Sequence, residues 1–188
     1  MNKFSEIDNK FKVKKNTPSD INQHMDILKK YAEECEHITE MGVRWVVSTW
    51  AFLAAFPKKL VSYDITDCAV EEIFKLSKDV GINFEFKKAD VLSVEIEQTE
   101  LLFIDTLHTY SQLLKELSTH ATKVTKFIVL HDTVTFGYTD EGGSKNNGKA
   151  GLKPAVSDFL LTEEGTHWLI KEEFEHNNGL TILKRIYE

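Results

Sequence analysis

The sequence is poor in the features that would tie it to a membrane, an oxidising compartment or a polyanion. It has two cysteines, Cys35 and Cys68, in 188 residues. They form neither a disulfide framework nor a zinc pattern, and we read them as reduced core thiols of a cytoplasmic protein. No apolar run approaches the roughly 20 residues that span a bilayer, and the N-terminus lacks the apolar stretch of a secretory signal. Positive charge is scarce, with 23 Lys and Arg against 30 Asp and Glu and a net charge of −7. That balance argues against nucleic acid as a partner, since the one basic cluster (Lys10, Lys12, Lys14, Lys15) is diluted by Glu6 and Asp8. The G-x-G-x-x-G turn of a dinucleotide site is missing as well.

What remains is an ordinary globular composition, 41% hydrophobic and 28% charged, at the length of one domain. Residues 1–16 are polar without a clear period and are expected to form a flexible arm, with a single domain over 17–188. Thr17-Pro18-Ser19-Asp20 carries helix-start chemistry, and Ile21, Met25, Leu28 and Ala32 continue at helical spacing to about Glu34. Strands are expected at Ile38–Met41, Leu60–Asp64, Ile82–Phe86, Leu101–Asp105 and Lys126–Leu130. Helices are expected at Ser48–Phe56, from a cap at Asp67 to Gly81, from Tyr110 to Ala121, and at Leu152–Leu161. Residues 133–151, rich in glycine, are too long for an ordinary connection and read as a mobile lid. Two alternating strands, His167–Phe174 and Leu180–Tyr187, flank Asn177-Asn178-Gly179, a hairpin signal. Alternating strands and helices give an α/β fold, doubly wound and Rossmann-like, with helices on both faces of a mostly parallel seven-stranded sheet that ends in an antiparallel hairpin. Such sheets bind ligands beyond the C-terminal strand ends, where Glu40, Asp64, Asp105, His131 and Asp132 all fall.

Three short patterns sit at those ends. The first is Glu40, Gly42, Ser48 and Thr49, with Val46 between. The second is Ile104-Asp105-Thr106-Leu107-His108-Thr109-Tyr110, and the third Val129-Leu130-His131-Asp132-Thr133. In this order they resemble the class I S-adenosylmethionine (SAM)-dependent methyltransferases, nearest to the small-molecule O-methyltransferases related to cephalosporin hydroxylase and macrolide-sugar methyltransferases. Two departures stand out: Val46 replaces a glycine of the first pattern, and Thr106-Leu107 replaces Gly-Asp in the second. Val46 either pushes the backbone away from the cofactor or marks a turn of different shape.

The resemblance implies SAM as cofactor and methyl transfer to a hydroxyl of a small molecule, a sugar among the candidates. It implies a cofactor site of Glu40, Gly42, Ser48, Thr49, Asp64, Asp90, Asp105 and His108. Glu40 would lie beneath the methionine part and Asp90 beside adenine. Gly42 admits close backbone approach, Ser48 and Thr49 open a helix whose amides receive a carboxylate, and Asp64 is placed to accept the ribose diol. Asp105, His131 and Asp132 match the positions that hold a divalent metal, magnesium or manganese, in metal-dependent relatives, with Asp105 and His131 as catalytic candidates. An imidazole at His131 shifts preference toward manganese, iron or zinc or serves as general base. His24, His37, His120, His167 and His176 read as packing or surface residues. Other readings of the same scaffold are a degenerate nucleoside-binding module and an NAD-linked oxidoreductase.

Overall fold

The computed structural model describes residues 2–143 and 148–186. Seven strands form one sheet in the order β3-β2-β1-β4-β5-β7-β6: β1 (His37–Met41), β2 (Lys59–Asp64), β3 (Asn83–Lys88), β4 (Thr99–Ile104), β5 (Val124–His131), β6 (Trp168–Phe174) and β7 (Leu180–Arg185). All run parallel except β7, which is antiparallel to both β5 and β6. The expected doubly wound sheet with its terminal hairpin is therefore present. The end of β7 expected at Tyr187 lies outside the described residues.

The strands sort their side chains by alternation. Leu101 and Phe103 of β4 pack into one core with Ile38, Leu60, Phe127 and Val129. Leu102 and Ile104 enter the other with Met41, Val61, Ile128 and Leu130. The first core is covered by α1 (Lys3–Asn16), α2 (Met25–Ala32), α3 (Val47–Leu53) and α4 (Glu71–Val80), the second by α5 (Tyr110–His120) and α6 (Leu152–Leu160). Both faces of β1 and β4 are thus buried, as their near-continuous apolar runs require.

Three expectations are corrected. Residues 3–16 form helix α1 rather than a loose arm. Asn2 caps it by accepting from the Phe4 amide, and Ile7 and Phe11, one turn apart, are buried in the first core. Thr17 does not start the next helix. Its hydroxyl donates to Val13 O at 2.8 Å, closing α1 from behind, and α2 begins only at Met25 after a 3-10 turn at Asn22–His24. Asp67 does not cap α4, whose N-cap is Val70; its carboxylate pairs with Lys88 at 2.6 Å.

The segment expected as a lid is anchored where it is described, at 133–143 and 148–151. Phe136 N donates to Asp132 O, and Leu152 N to Phe136 O. Asp140 Oδ1 accepts from Tyr110 N and Gly151 N, at 2.8 and 2.6 Å. Cys35 is buried and Cys68 half-buried, and both are free thiols. No helix among the described residues is long and apolar enough to cross a membrane.

Candidate cofactor and metal site

Register places the candidate residues in one row. Met41 pairs with Tyr63 and with Ile104, and Ile104 with Leu130, so Gly42, Asp64, Asp105 and His131 follow at neighbouring strand ends. Gly42 has φ 87°, and a Cβ on it would lie 1.9 Å from Asp105 O. The two turns are in backbone contact, and only glycine fits between them.

Val46 has φ 61° and ψ 31°, the left-handed conformation that glycine adopts freely. Holding a β-branched residue there costs about 1–2 kcal/mol. Its side chain is buried in the first core and lines a groove beside Lys10, Val13 and Lys14 of α1 and Trp50. It lines neither of the two large cavities on the rim. The turn therefore has the shape a glycine would give it, and the extra carbons are spent on packing α1.

Glu40 is fully buried beneath this turn. It accepts from Ser48 Oγ at 2.6 Å, Thr49 Oγ1 at 2.9 Å and Ser62 Oγ at 2.6 Å. Burial pushes its pKa up to about 7, although the three hydroxyls pull it down. The Ser48 and Thr49 side chains thus face inward onto Glu40. Of these three residues only Ser48 lines a large cavity.

The first cavity, about 530 Å³, is lined by Tyr63, Asp64, Ile65, Asp90, Leu92 and Asp105 among others. Asp64 Oδ2 accepts from the Val43 and Arg44 amides at 2.9 and 3.0 Å, and Oδ1 from the Thr66 amide and hydroxyl, each at 2.8 Å. Burial raises its pKa, but those donors outweigh it and hold the carboxyl below its ordinary range. Asp90 caps the 3-10 turn Val91–Ser93 by accepting from Leu92 N at 2.9 Å.

The second cavity, about 450 Å³, shares Gly42, Asp105, Thr106 and Leu107 with the first and extends to Asp20, Trp45, His108 and Glu141. Trp45 is 70% exposed at its rim, whereas Trp50 and Trp168 are core residues. Tyr110 is half-buried against the second core, and its hydroxyl donates to Asp158 at 2.6 Å.

At the inner end of this cavity stands a charged cluster. His108 Nε2 lies 3.1 Å from Asp105 Oδ1 and 2.9 Å from Asp132 Oδ2, and its Nδ1 2.9 Å from Glu141 Oε2. Its ring stacks on Phe136 at 4.8 Å, 3° from parallel. His131 Nδ1 lies 3.4 and 3.5 Å from the same Asp105 and Asp132 oxygens, and its Nε2 3.3 Å from Asn177 O. Burial lowers the basicity of both imidazoles, but Asp105 and Asp132 outweigh it and raise each pKa to about 10. Asp132, at φ 59°, is correspondingly held far below the usual carboxylate range against its burial. His131 Nδ1 and Asp132 Oδ1 are buried without a hydrogen-bond partner. Asp105, His131 and Asp132 each present a ligand atom within 4.8 Å of the others. His131 lines neither large cavity, so it acts on the site from behind Asp105 and His108.

Three contributors were invisible in the sequence. Glu141 and Phe136 come from the glycine-rich segment, whose composition gave no pointer to them. Asn177 belongs to the hairpin turn: its Oδ1 accepts from Gln23 N, its Nδ2 donates to Ser19 O, and its carbonyl faces both His24 and His131. His24 is accordingly not an isolated packing residue. Fully buried, it lies edge-on to His131 at 5.7 Å and beside His176 at 4.6 Å. Burial first, then His131 and His176, lower its pKa to about 4.

No protein-family model matches the chain, and no curated protein sequence matches it. Solved structures do. The methyltransferase PaMTH1 of Podospora anserina, bound to S-adenosylhomocysteine (SAH), has a TM-score of 0.62 at 12% identity, covering 100% of this chain and 89% of that one. The magnesium protoporphyrin IX methyltransferase ChlM of Synechocystis PCC 6803, with bound SAM, has a TM-score of 0.61 at 14% identity over 90% and 82%. The N-methyltransferase NodS of Bradyrhizobium japonicum WM9, in complex with SAH, has a TM-score of 0.60 at 11% identity over 98% and 99%.

Proposed function

The fold is that of the class I SAM-dependent methyltransferases, and we propose that this chain is such an enzyme, transferring a methyl group to a hydroxyl of a small molecule. The observation that carries the reading is the junction at Gly42. There a cavity bearing Asp64 and Asp90 meets one bearing Asp105 and His108, across a turn too tight for any Cβ. Adenosine belongs in the first cavity, with a ribose hydroxyl taking the place of the Thr66 hydroxyl on Asp64 and the adenine edge near Asp90. Asp64 keeps its charge because its oxygens already accept from amides, and those same bonds fix the Val43–Arg44 turn. The sulfonium and ammonium of the cofactor belong over the Gly42–Asp105 junction, next to a carboxylate.

The acceptor occupies the second cavity, between Trp45 and His108. Methyl transfer is an in-line displacement, and holding nucleophile and methyl carbon close and aligned supplies much of the acceleration. A hydroxyl also has to shed its proton. Asp105 is the one carboxylate of the cluster that lines both cavities, and His108 stands beside it. The donor set of Asp105, His131 and Asp132 fits a divalent cation, because two of its buried polar atoms, His131 Nδ1 and Asp132 Oδ1, lack a hydrogen-bond partner. A cation held there would orient the acceptor hydroxyl and lower its pKa.

Thermal melting in the presence of SAM, SAH or NAD tests the cofactor class. Stabilisation by SAM and SAH but not by NAD is expected, and stabilisation by NAD alone would overturn the assignment. A screen of small hydroxylated acceptors with methyl-labelled SAM then tests the hydroxyl. Transfer confined to amines would replace it with N-methylation.

A further inference from the structure

Resting on the reading that a cation binds at this rim, we propose that His108 is its fourth protein ligand, making an N2O2 site that prefers a borderline transition-metal ion to magnesium. Four atoms close a ring in which nitrogen and oxygen alternate. His108 Nε2 lies 3.1 Å from Asp105 Oδ1, which lies 3.4 Å from His131 Nδ1. That nitrogen lies 3.5 Å from Asp132 Oδ2, which is 2.9 Å from His108 Nε2. If the ring closes to a near-square, a central cation would sit roughly 2–2.5 Å from its members, within metal–nitrogen and metal–oxygen bonding range.

The far nitrogen of each imidazole decides which electrons face the ring. His108 Nδ1 lies 2.9 Å from Glu141 Oε2 and His131 Nε2 lies 3.3 Å from Asn177 O. A carboxylate and a carbonyl only accept, so once a cation displaces the inner protons each imidazole keeps its remaining proton on that outer nitrogen. The lone pairs of His108 Nε2 and His131 Nδ1 are left pointing inward. A ligating histidine anchored through its second nitrogen on an acceptor oxygen is the usual outer arrangement of a metal site. Phe136, stacked at 4.8 Å, fixes the plane of the His108 ring. The side chain of His131 is 0% exposed, and its ring-facing Nδ1 has no hydrogen-bond partner. Two imidazoles with two single carboxylate oxygens suit zinc, copper, nickel or iron, whereas magnesium takes oxygen ligands.

The test uses the full chain loaded with one equivalent of Cu2+ and read by electron paramagnetic resonance, together with Zn2+ affinity by calorimetry. Expected are two coordinated imidazole nitrogens in the wild type and one in His108→Ala. Zn2+ binding should be at least tenfold weaker in that variant, and millimolar Mg2+ should displace neither metal. Glu141→Gln, which leaves the His108 imidazole in place but weakens its anchor, is expected to weaken Zn2+ several-fold, and it carries the test if His108→Ala melts early. A two-nitrogen spectrum and unchanged Zn2+ affinity in His108→Ala would overturn ligation by His108 while leaving the three-residue site standing. Failure of the wild type to bind any of these ions would overturn both, without touching SAM binding, which is measured separately.

Discussion

At the scale of single residues, three positions beneath the rim can be tested one at a time: Gly42, Val46 and Glu40. Gly42→Ala is expected to abolish detectable SAM binding and lower the melting temperature, because its Cβ would collide with Asp105 O at 1.9 Å. Val46→Gly has the opposite logic. It relieves about 1–2 kcal/mol of left-handed strain but removes a buried side chain worth roughly 1.5–3 kcal/mol. Stability should fall slightly, and SAM affinity should stay within threefold; a larger affinity change would mean that Val46 faces the cofactor after all. Glu40 supplies a pH signature. Its pKa rises from an ordinary 4.5 to about 7 in the folded protein, so the native state holds more protons than the unfolded chain between those values. Its stabilising contribution is complete below pH 4.5 and is lost as pH rises through about 7. Denaturant titrations between pH 5 and 8 should therefore show Glu40→Gln losing less stability with rising pH than the wild type. Parallel pH profiles for the two proteins would contradict the buried, upshifted carboxyl. The sequence exposed Gly42, Asp64, Asp105 and Asp132 because strand-end acids and a turn glycine are read from position alone. It could not show that Val46 adopts the glycine conformation, since a side chain's direction depends on what it packs against.

Among the elements, legibility followed the source of each segment's stability. Strands β4 and β5 and helix α5 were legible because their own apolar pattern fixes them. Helix α1 was not, because only Ile7 and Phe11 of its fourteen residues are buried, and its stability comes from α3, α4 and the Val46 turn. Phe11→Ala should cost roughly 3–5 kcal/mol, lowering the melting temperature by about 6–20 °C, while SAM binding at low temperature persists. An unchanged melting temperature would show that α1 does not dock. The described part of the 133–151 segment carries contacts its glycines gave no sign of: Asp140 and Glu141 tie it to the start of α5, and such tertiary bonds leave no trace in local composition.

Over the whole molecule, the sheet order carries the account. It brings β1 and β4, separated in sequence by two other strands, side by side, and that adjacency puts Gly42 against Asp105 and joins the two cavities. The β6–β7 turn reaches the same rim and braces His131 and the 19–24 segment through Asn177. The measurement that bears most directly on this account is calorimetric titration of the wild type and of Asp64→Ala with SAM. The expected result is one site per chain in the wild type and affinity at least tenfold weaker in the variant. Absence of binding at millimolar SAM in the wild type, or equal affinity in the two proteins, would contradict it.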